Sequence, residues 1–135
     1  MQDRPTAGEL TVAVAHFLNK EIAPIMTDLR LRFRVLIAAN LMSIVTRELD
    51  AGDAPIRAEW QRLVKLLERT TGEAPANSED LHGAVEALNR ELCARIRAGD
   101  ADAGPWRAAV VAHVQATVID KLRVANPRFL QRMLP

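Results

Sequence analysis

Aromatic and sulfur chemistry are what this sequence has least of. Its 135 residues include one cysteine and no tyrosine, and aromatics make up 4%. A single cysteine excludes an internal disulfide framework and a Cys-rich zinc site. With so few rings, a core has to be built from Leu, Val, Ile, Ala and Met. Long apolar runs are missing too. The longest, Val35 to Val45, already contains Asn40 and Ser43 and is short of the roughly 20 residues a bilayer crossing needs. Residues 1–9 hold Asp3, Arg4, Pro5 and Glu9 with no apolar stretch behind a basic start, which is not the pattern of a secretory leader. The expectation is a cytoplasmic protein with no membrane partner. Excess charge of one sign is also lacking: 18 basic against 17 acidic residues leave +1, which removes the electrostatic case for whole-chain nucleic-acid binding.

The motifs of common catalysts are absent as well. There is no glycine-rich phosphate loop, no Gly-x-Ser-x-Gly elbow and no paired-carboxylate signature. The six glycines fall mainly at expected helix ends. His16, His82 and His113 lie on three different helices without His-x-x-x-His or Glu-x-x-His spacing, so neither a metal nor a cofactor is expected. Cys93, beside Leu92, reads as a small buried hydrophobe without a partner base. His113 reads as a partly buried, hydrogen-bonded histidine. No catalytic residue is assigned, and a non-enzymatic protein is the expectation. An enzyme in its own right would have Asp120, Lys121 and His113 as its candidates.

What is present is helical periodicity with clear punctuation. Hydrophobic residues make up 49% and charged residues 26%, the balance of a globular domain. Thr6-Ala7-Gly8-Glu9 reads as a capping box, followed by Leu10, Val14, Phe17, Leu18 and Ile22 at helical spacing until Pro24 stops or kinks the helix. A second helix runs over about 29–50, apolar nearly all round, with Gly52 as a left-handed terminator. Asp53 is read as the cap of a third helix, with Pro55 in its first turn and Ile56, Trp60, Leu63 and Leu67 as its stripe. Gly72 to Ser78 is the one substantial loop. A fourth helix starts at Asn77 or Ser78, buries Leu81, Val85, Leu88, Leu92 and Ile96, and stops at Gly99. It carries Glu86–Arg90 and Glu91–Arg95 as i,i+4 pairs. A fifth begins near Pro105, buries Trp106, Val110, Val114, Val118 and Leu122, and ends at Asn126-Pro127. No segment shows strand alternation. The fold expected is all-α, one domain over 1–135, an up-and-down bundle of four to five helices around the apolar helix at about 29–50.

Charge is segregated: residues 73–105 sum to −4 and residues 106–135 to +4. Neighbouring helices would attract one another, or two surfaces would recruit oppositely charged partners. Arginine outnumbers lysine 15 to 3; genomic base composition explains this, with phosphate recognition as the alternative. Arg30 and Arg34 sit one turn apart while Arg32 points away, which is not a nucleic-acid recognition face. The tryptophans fall on core stripes and read as packing.

Two features stand out. Asn40 sits mid-helix in the most apolar segment, where an unsatisfied amide would cost about 1–3 kcal/mol. It either bonds a neighbouring helix and sets register or faces a ligand cavity. The run from Asp120 through Lys121, Leu122, Arg123, Asn126 and Arg128 crowds charge at a helix C-terminus, where cations are favoured. It is either structural or an anion-binding corner. Binding candidates are therefore Asn40, Asp120, Lys121, Asn126 and Arg128.

Arg4-Pro5-Thr6 through Leu10, Phe33 to Leu49 with its Arg-Val-x-x-Ala-Ala-Asn centre, Leu88-Asn89-x-Glu-Leu-Cys93-x-x-Ile-Arg97-x-Gly99, and Asp120-Lys121-Leu122 to Asn126-Pro127-Arg128-Phe129 resemble an uncharacterised bacterial family. Its members are small all-helical proteins described as a domain of unknown function. The resemblance extends over about Arg4 to Phe129, with Phe129 where a tyrosine is expected. It implies genes beside those of acyl-CoA dehydrogenases and aminoglycoside-phosphotransferase-like kinases, and it carries no catalytic residues. The functional expectation is a non-enzymatic accessory or protein-interaction module of that acyl-CoA metabolism, with one of those enzymes as partner. The alternative is a helical bundle binding an acyl or CoA-like anion between the second and fifth helices through Asn40, Lys121, Asn126 and Arg128. An apolar face left uncovered would also permit a homo-oligomer.

Overall fold

The computed structural model describes residues 3–70 and 73–133. Helices dominate them and no strand occurs among them, so the chain is all-α as the periodicity predicts. The chain divides into two compact units, Met1–Gly52 and Asp53–Pro135.

The N-terminal unit opens with α1 (Ala7–Phe17). Thr6 accepts from the Glu9 N–H and the Glu9 carboxylate accepts from the Thr6 N–H, the reciprocal box predicted from the sequence. Pro24 distorts this helix and then ends it, as expected: the chain turns extended at Met26, two residues on. The chain widens into a π-helical segment over Leu18–Ile22, with the Ala23 N–H reaching the Leu18 carbonyl, and α2 (Ala23–Ile25) follows. Shifting the register to i−5 just ahead of Pro24 opens room for a ring that would otherwise clash with the preceding turn.

Asp28 caps α3 (Leu29–Ala51) by accepting from the Arg30 and Leu31 N–H groups, and Gly52 ends it at φ +52°. The helices α1 and α3 run antiparallel, since Gly8 lies beside Asp50 and the Thr11 and Thr46 hydroxyls meet at 2.8 Å. The contact is made by small side chains. Among the described residues of this unit, only Ala15, Ala23 and Ala39 are buried.

The apolar circumference of α3 therefore does not become burial. Phe33, Leu36, Ile37 and Leu41 are exposed, Phe33 to 64%. Asn40 is exposed among them and bonds no neighbouring side chain. Of the two roles expected for it, the interhelical register bond is not made among the described residues of this unit. Leu10, Val14 and Phe17 line the outer side of α1 and are about half exposed.

The C-terminal unit is built differently. Its α4 (Ala54–Leu66) packs against α5 (Ser78–Arg97) and α6 (Pro105–Ala125), and α7 (Pro127–Met133) follows on α6. Leu63, Leu66, Leu67, Val85, Leu92 and Val110 form the core, with Ile56, Trp60, Leu88 and Trp106 packed on it. Each such side chain taken from water contributes roughly 1.5–3 kcal/mol before entropy is charged against it. Trp106 also donates its indole N–H to the Leu66 carbonyl at 3.1 Å, so the ring is fixed as a packing element.

Asp53 does not cap α4 through its side chain; its carboxylate accepts from the Ser78 hydroxyl at 2.8 Å instead. Asn77 caps α5 by accepting from the Asp80 N–H. Gly72 lies outside the described residues. The loop after it is held by Arg57, which donates to the Pro75 and Ala76 carbonyls. Glu86–Arg90 forms, whereas the expected Glu91–Arg95 pair does not. Glu91 takes Arg69, and Arg95 pairs with Asp100 while lying 4.2 Å over the Trp106 ring.

Candidate functional site

On α6 the residues turned toward α4 are Trp106, Val110, His113, Thr117 and Asp120, a 4-3-4-3 spacing that stays on one side of a helix. The first two belong to the hydrophobic core and the last three are polar. Val114 and Val118, expected inside, are nearly half exposed. Arg62 of α4 meets the polar half: its guanidinium donates to Thr117 Oγ1 at 3.4 Å and to Asp120 Oδ2 at 3.0 Å. Asp120 Oδ1 accepts from Arg123 at 2.8 Å, so one carboxylate holds two guanidinium groups. One turn before Arg62, Glu59 is buried and accepts from the Asn89 amide of α5 at 2.8 Å.

His113 is 6% exposed, and its Nδ1 has no hydrogen-bond partner; neither has Arg62 Nε. Burial pushes the imidazole below its ordinary value. The Arg62 charge pushes in the same direction, while the Glu59 carboxylate opposes both. The ring is therefore neutral near pH 7, with one nitrogen available as donor or acceptor. Beside it, a groove of about 430 Å³ is lined by Arg62, Lys65, Leu66, Glu68, Trp106 and His113, with Ala109 and Ala112. Its size falls in the range of small-molecule sites. Glu68, at its rim, holds a left-handed backbone at φ +54°, costly for a residue with a Cβ.

The candidate residues read from the sequence are divided between the two units. Asn40 belongs to the N-terminal unit; Asp120, Lys121, Asn126 and Arg128 belong to the C-terminal one. Asp120 is the anchor for Arg62 and Arg123. Asn126 ends α6 and accepts from the Phe129 N–H at 3.1 Å, capping α7, a helix the sequence reading did not foresee. Lys121 and Arg128 are exposed, and so is Cys93, which was expected inside. Among the described residues, no His, Cys, Asp and Glu group is arranged to hold a metal ion. The sequence reading names His113 and Asp120 separately but neither Glu59 nor Arg62, and not the polar core in which they meet. The one signal for it was that 106, 110, 113, 117 and 120 keep a tighter helical face than 106, 110, 114, 118 and 122.

Fold and site together define an all-α chain whose compact C-terminal half carries a buried polar seam, with no helix long and apolar enough to cross a membrane among the described residues. Residues 26–129 match the family described as Domain of unknown function (DUF6285), and the chain belongs to that family. The matched segment takes in α3 and the helices of the C-terminal unit up to Phe129, and it leaves out α1 and the Arg4–Leu10 segment. No curated protein and no solved structure matches the chain.

Proposed function

We propose that the chain is a non-enzymatic accessory module that works by binding proteins. The observation that carries this reading is the N-terminal unit. Its burial among the described residues is limited to three alanines, while Leu10, Val14 and Phe17 on α1 and Phe33, Ile37 and Leu41 on α3 stay open. Clusters of exposed large apolar side chains of that kind mark protein contact sites. The resemblance to a family encoded beside acyl-CoA dehydrogenases and phosphotransferase-like kinases supplies the candidate partners, an enzyme of one of those two kinds, and hence a role in acyl-CoA metabolism. The outer stripe of α1 is the surface assigned to that enzyme. Mixing the purified chain with each neighbouring enzyme tests the reading by co-elution on size exclusion and by the enzyme's turnover. A complex lost in Leu10→Asp with Phe17→Asp is expected; no complex and no change in either rate overturns it.

A second reading, binding of a small acyl or CoA-like anion, is favoured by a different place from the one expected. The groove between α4 and α6 combines Lys65 and Arg62 with the Trp106 wall and His113, whose buried Nδ1 has no partner among the described residues. Acyl-CoAs raise the melting temperature if this holds, and Lys65→Ala with His113→Phe removes the gain. An unchanged melting curve across acyl chain lengths overturns it.

A further inference from the structure

Along α3 the open face has an order that its composition alone does not convey. Phe33, Ile37, Asn40 and Ile44 follow one another at 4-3-4 spacing, the seam of a helix that packs against another helix. Asn40 is the one polar member of these four and stands midway along a 23-residue helix, whose same spacing reaches Arg30 and Arg47 toward its two ends. Beside the seam, Arg34, Leu41 and Glu48 recur at heptad spacing and so line one flank. Phe33, Arg34, Ile37, Asn40, Leu41 and Glu48 are all exposed, and Ile44 is half-buried. The Arg34 and Glu48 side chains make no ion pair with any described residue.

We propose that this face of α3 binds a second copy of the same chain, with the two α3 helices antiparallel across a two-fold axis at Leu41. The proposal rests on the reading that protein contact completes the N-terminal unit, and it names that partner for α3. Charge order selects both the occupant and its direction. Arg34 and Glu48 lie equally far from Leu41 along the helix, one on either side. A two-fold axis at Leu41 therefore sets each Arg34 against the Glu48 of the other copy, twice over, with Leu41 meeting Leu41 between the two pairs. In an antiparallel helix pair, equivalent flanks face each other, so these groups come together on the same edge. A parallel pair would instead bring Arg30 and Arg34 of both copies to one end, like charge near like. Asn40 then sits next to the axis, within a turn of its counterpart. A single polar seam residue there fixes register at some cost in affinity, which gives this exposed amide a partner that the isolated chain does not.

Analytical ultracentrifugation of the full chain tests the pairing. A concentration-dependent dimer is expected, abolished by Ile37→Asp. Arg34→Glu alone and Glu48→Arg alone each weaken it, by about tenfold, and the two together restore it; folding is checked by circular dichroism in every case. Pulsed electron spin resonance then reads direction, with a nitroxide on Leu29→Cys in a Cys93→Ser background. The antiparallel pair separates the two residue-29 positions by about 36 Å along the axis, from 1.5 Å per residue, whereas a parallel pair places them side by side. A monomer at every concentration overturns the proposal. So does a dimer in which charge reversal is not mutually compensating, or in which the residue-29 labels lie close together. A monomer that still binds a neighbouring enzyme removes the pairing and leaves the accessory role standing. A dimer that binds neither enzyme supports the pairing and removes the enzyme partnership.

Discussion

Where helices converge, the C-terminal unit places leucines and valines and the N-terminal unit places alanines. The first choice fills the space between α4, α5 and α6 with side chains that leave water altogether, Leu63 and Leu81 completely. The second brings α1 and α3 close enough for Thr11 and Thr46 to touch, and Leu10, Val14 and Phe17 of α1 with Phe33, Ile37 and Leu41 of α3 are left outside. Both units are helical, capped and apolar in composition. They differ in which residues face inward, and that difference separates a folding core from a surface for recognition. A two-helix pair held by small residues has little of its own to hold it, since isolated helices of this length are marginal without an apolar face packed away. Its open side chains are the resource it has left to use.

Truncation in the C-terminal core sharpens the contrast most. Leu63→Ala removes a fully buried side chain, and a loss of about 2–5 kcal/mol in unfolding free energy is expected by urea denaturation. A loss below about 1 kcal/mol would show that this core is looser than its burial indicates.

Next in size is the polar seam of the same unit, read through pH. His113 is buried and its pKa is lowered, first by burial and then by the Arg62 charge, with Glu59 opposing. Below the unfolded value near 6.5, the unfolded chain binds a proton that the folded one resists. Stability is therefore present in full above that value and falls as pH drops through it toward the folded pKa. Melting temperature is expected to decline from pH 7.5 to pH 5.5, and His113→Phe to flatten that part of the profile. An equal decline in the variant would assign the effect to other groups. Smaller again is the cap of α5. Asn77→Ala removes the acceptor for the Asp80 N–H, at a cost of about 1 kcal/mol measured by the same denaturation.

The capping box at Thr6, the helix starts and the stripes of α4 and most of α5 were legible in the sequence, because they depend on neighbours within a turn or two; the cap expected at Asp53 was not, its carboxylate being taken by Ser78. The inward face of α6 was legible only as far as Val110. Stepping by four residues from Trp106 to Leu122 drifts about 160° around a helix of 3.6 residues per turn, so Val114 and Val118 left the face while His113 and Thr117 kept it. Valine was preferred to histidine as a core residue on composition, which hid the site. The exposure of Asn40 was hidden for a related reason. An apolar circumference can mean a central helix or one with an unfilled face, and periodicity does not separate these when the real contact is made by Ala39. Asp120 and Asn126 have partners that the run they belong to does not reveal. Their tasks depend on Arg62, far away in sequence, and on a following helix, α7.

The smallest expected effect tests the N-terminal side of the comparison. Phe33 is a larger hydrophobe than Leu63, so composition alone predicts the greater loss on truncation. Its side chain is mostly in solvent already, and removing it leaves no cavity and strips few contacts. For Phe33→Ala in dilute solution, the change in unfolding free energy is expected to stay within about 0.5 kcal/mol, as at other surface positions. Because association stabilises whichever form it engages, a cost that appears only as protein concentration rises would place Phe33 in an interface. A loss of several kcal/mol independent of concentration would mean that the side chain is buried in the monomer, and the contrast between the two units would fail at its most exposed aromatic residue.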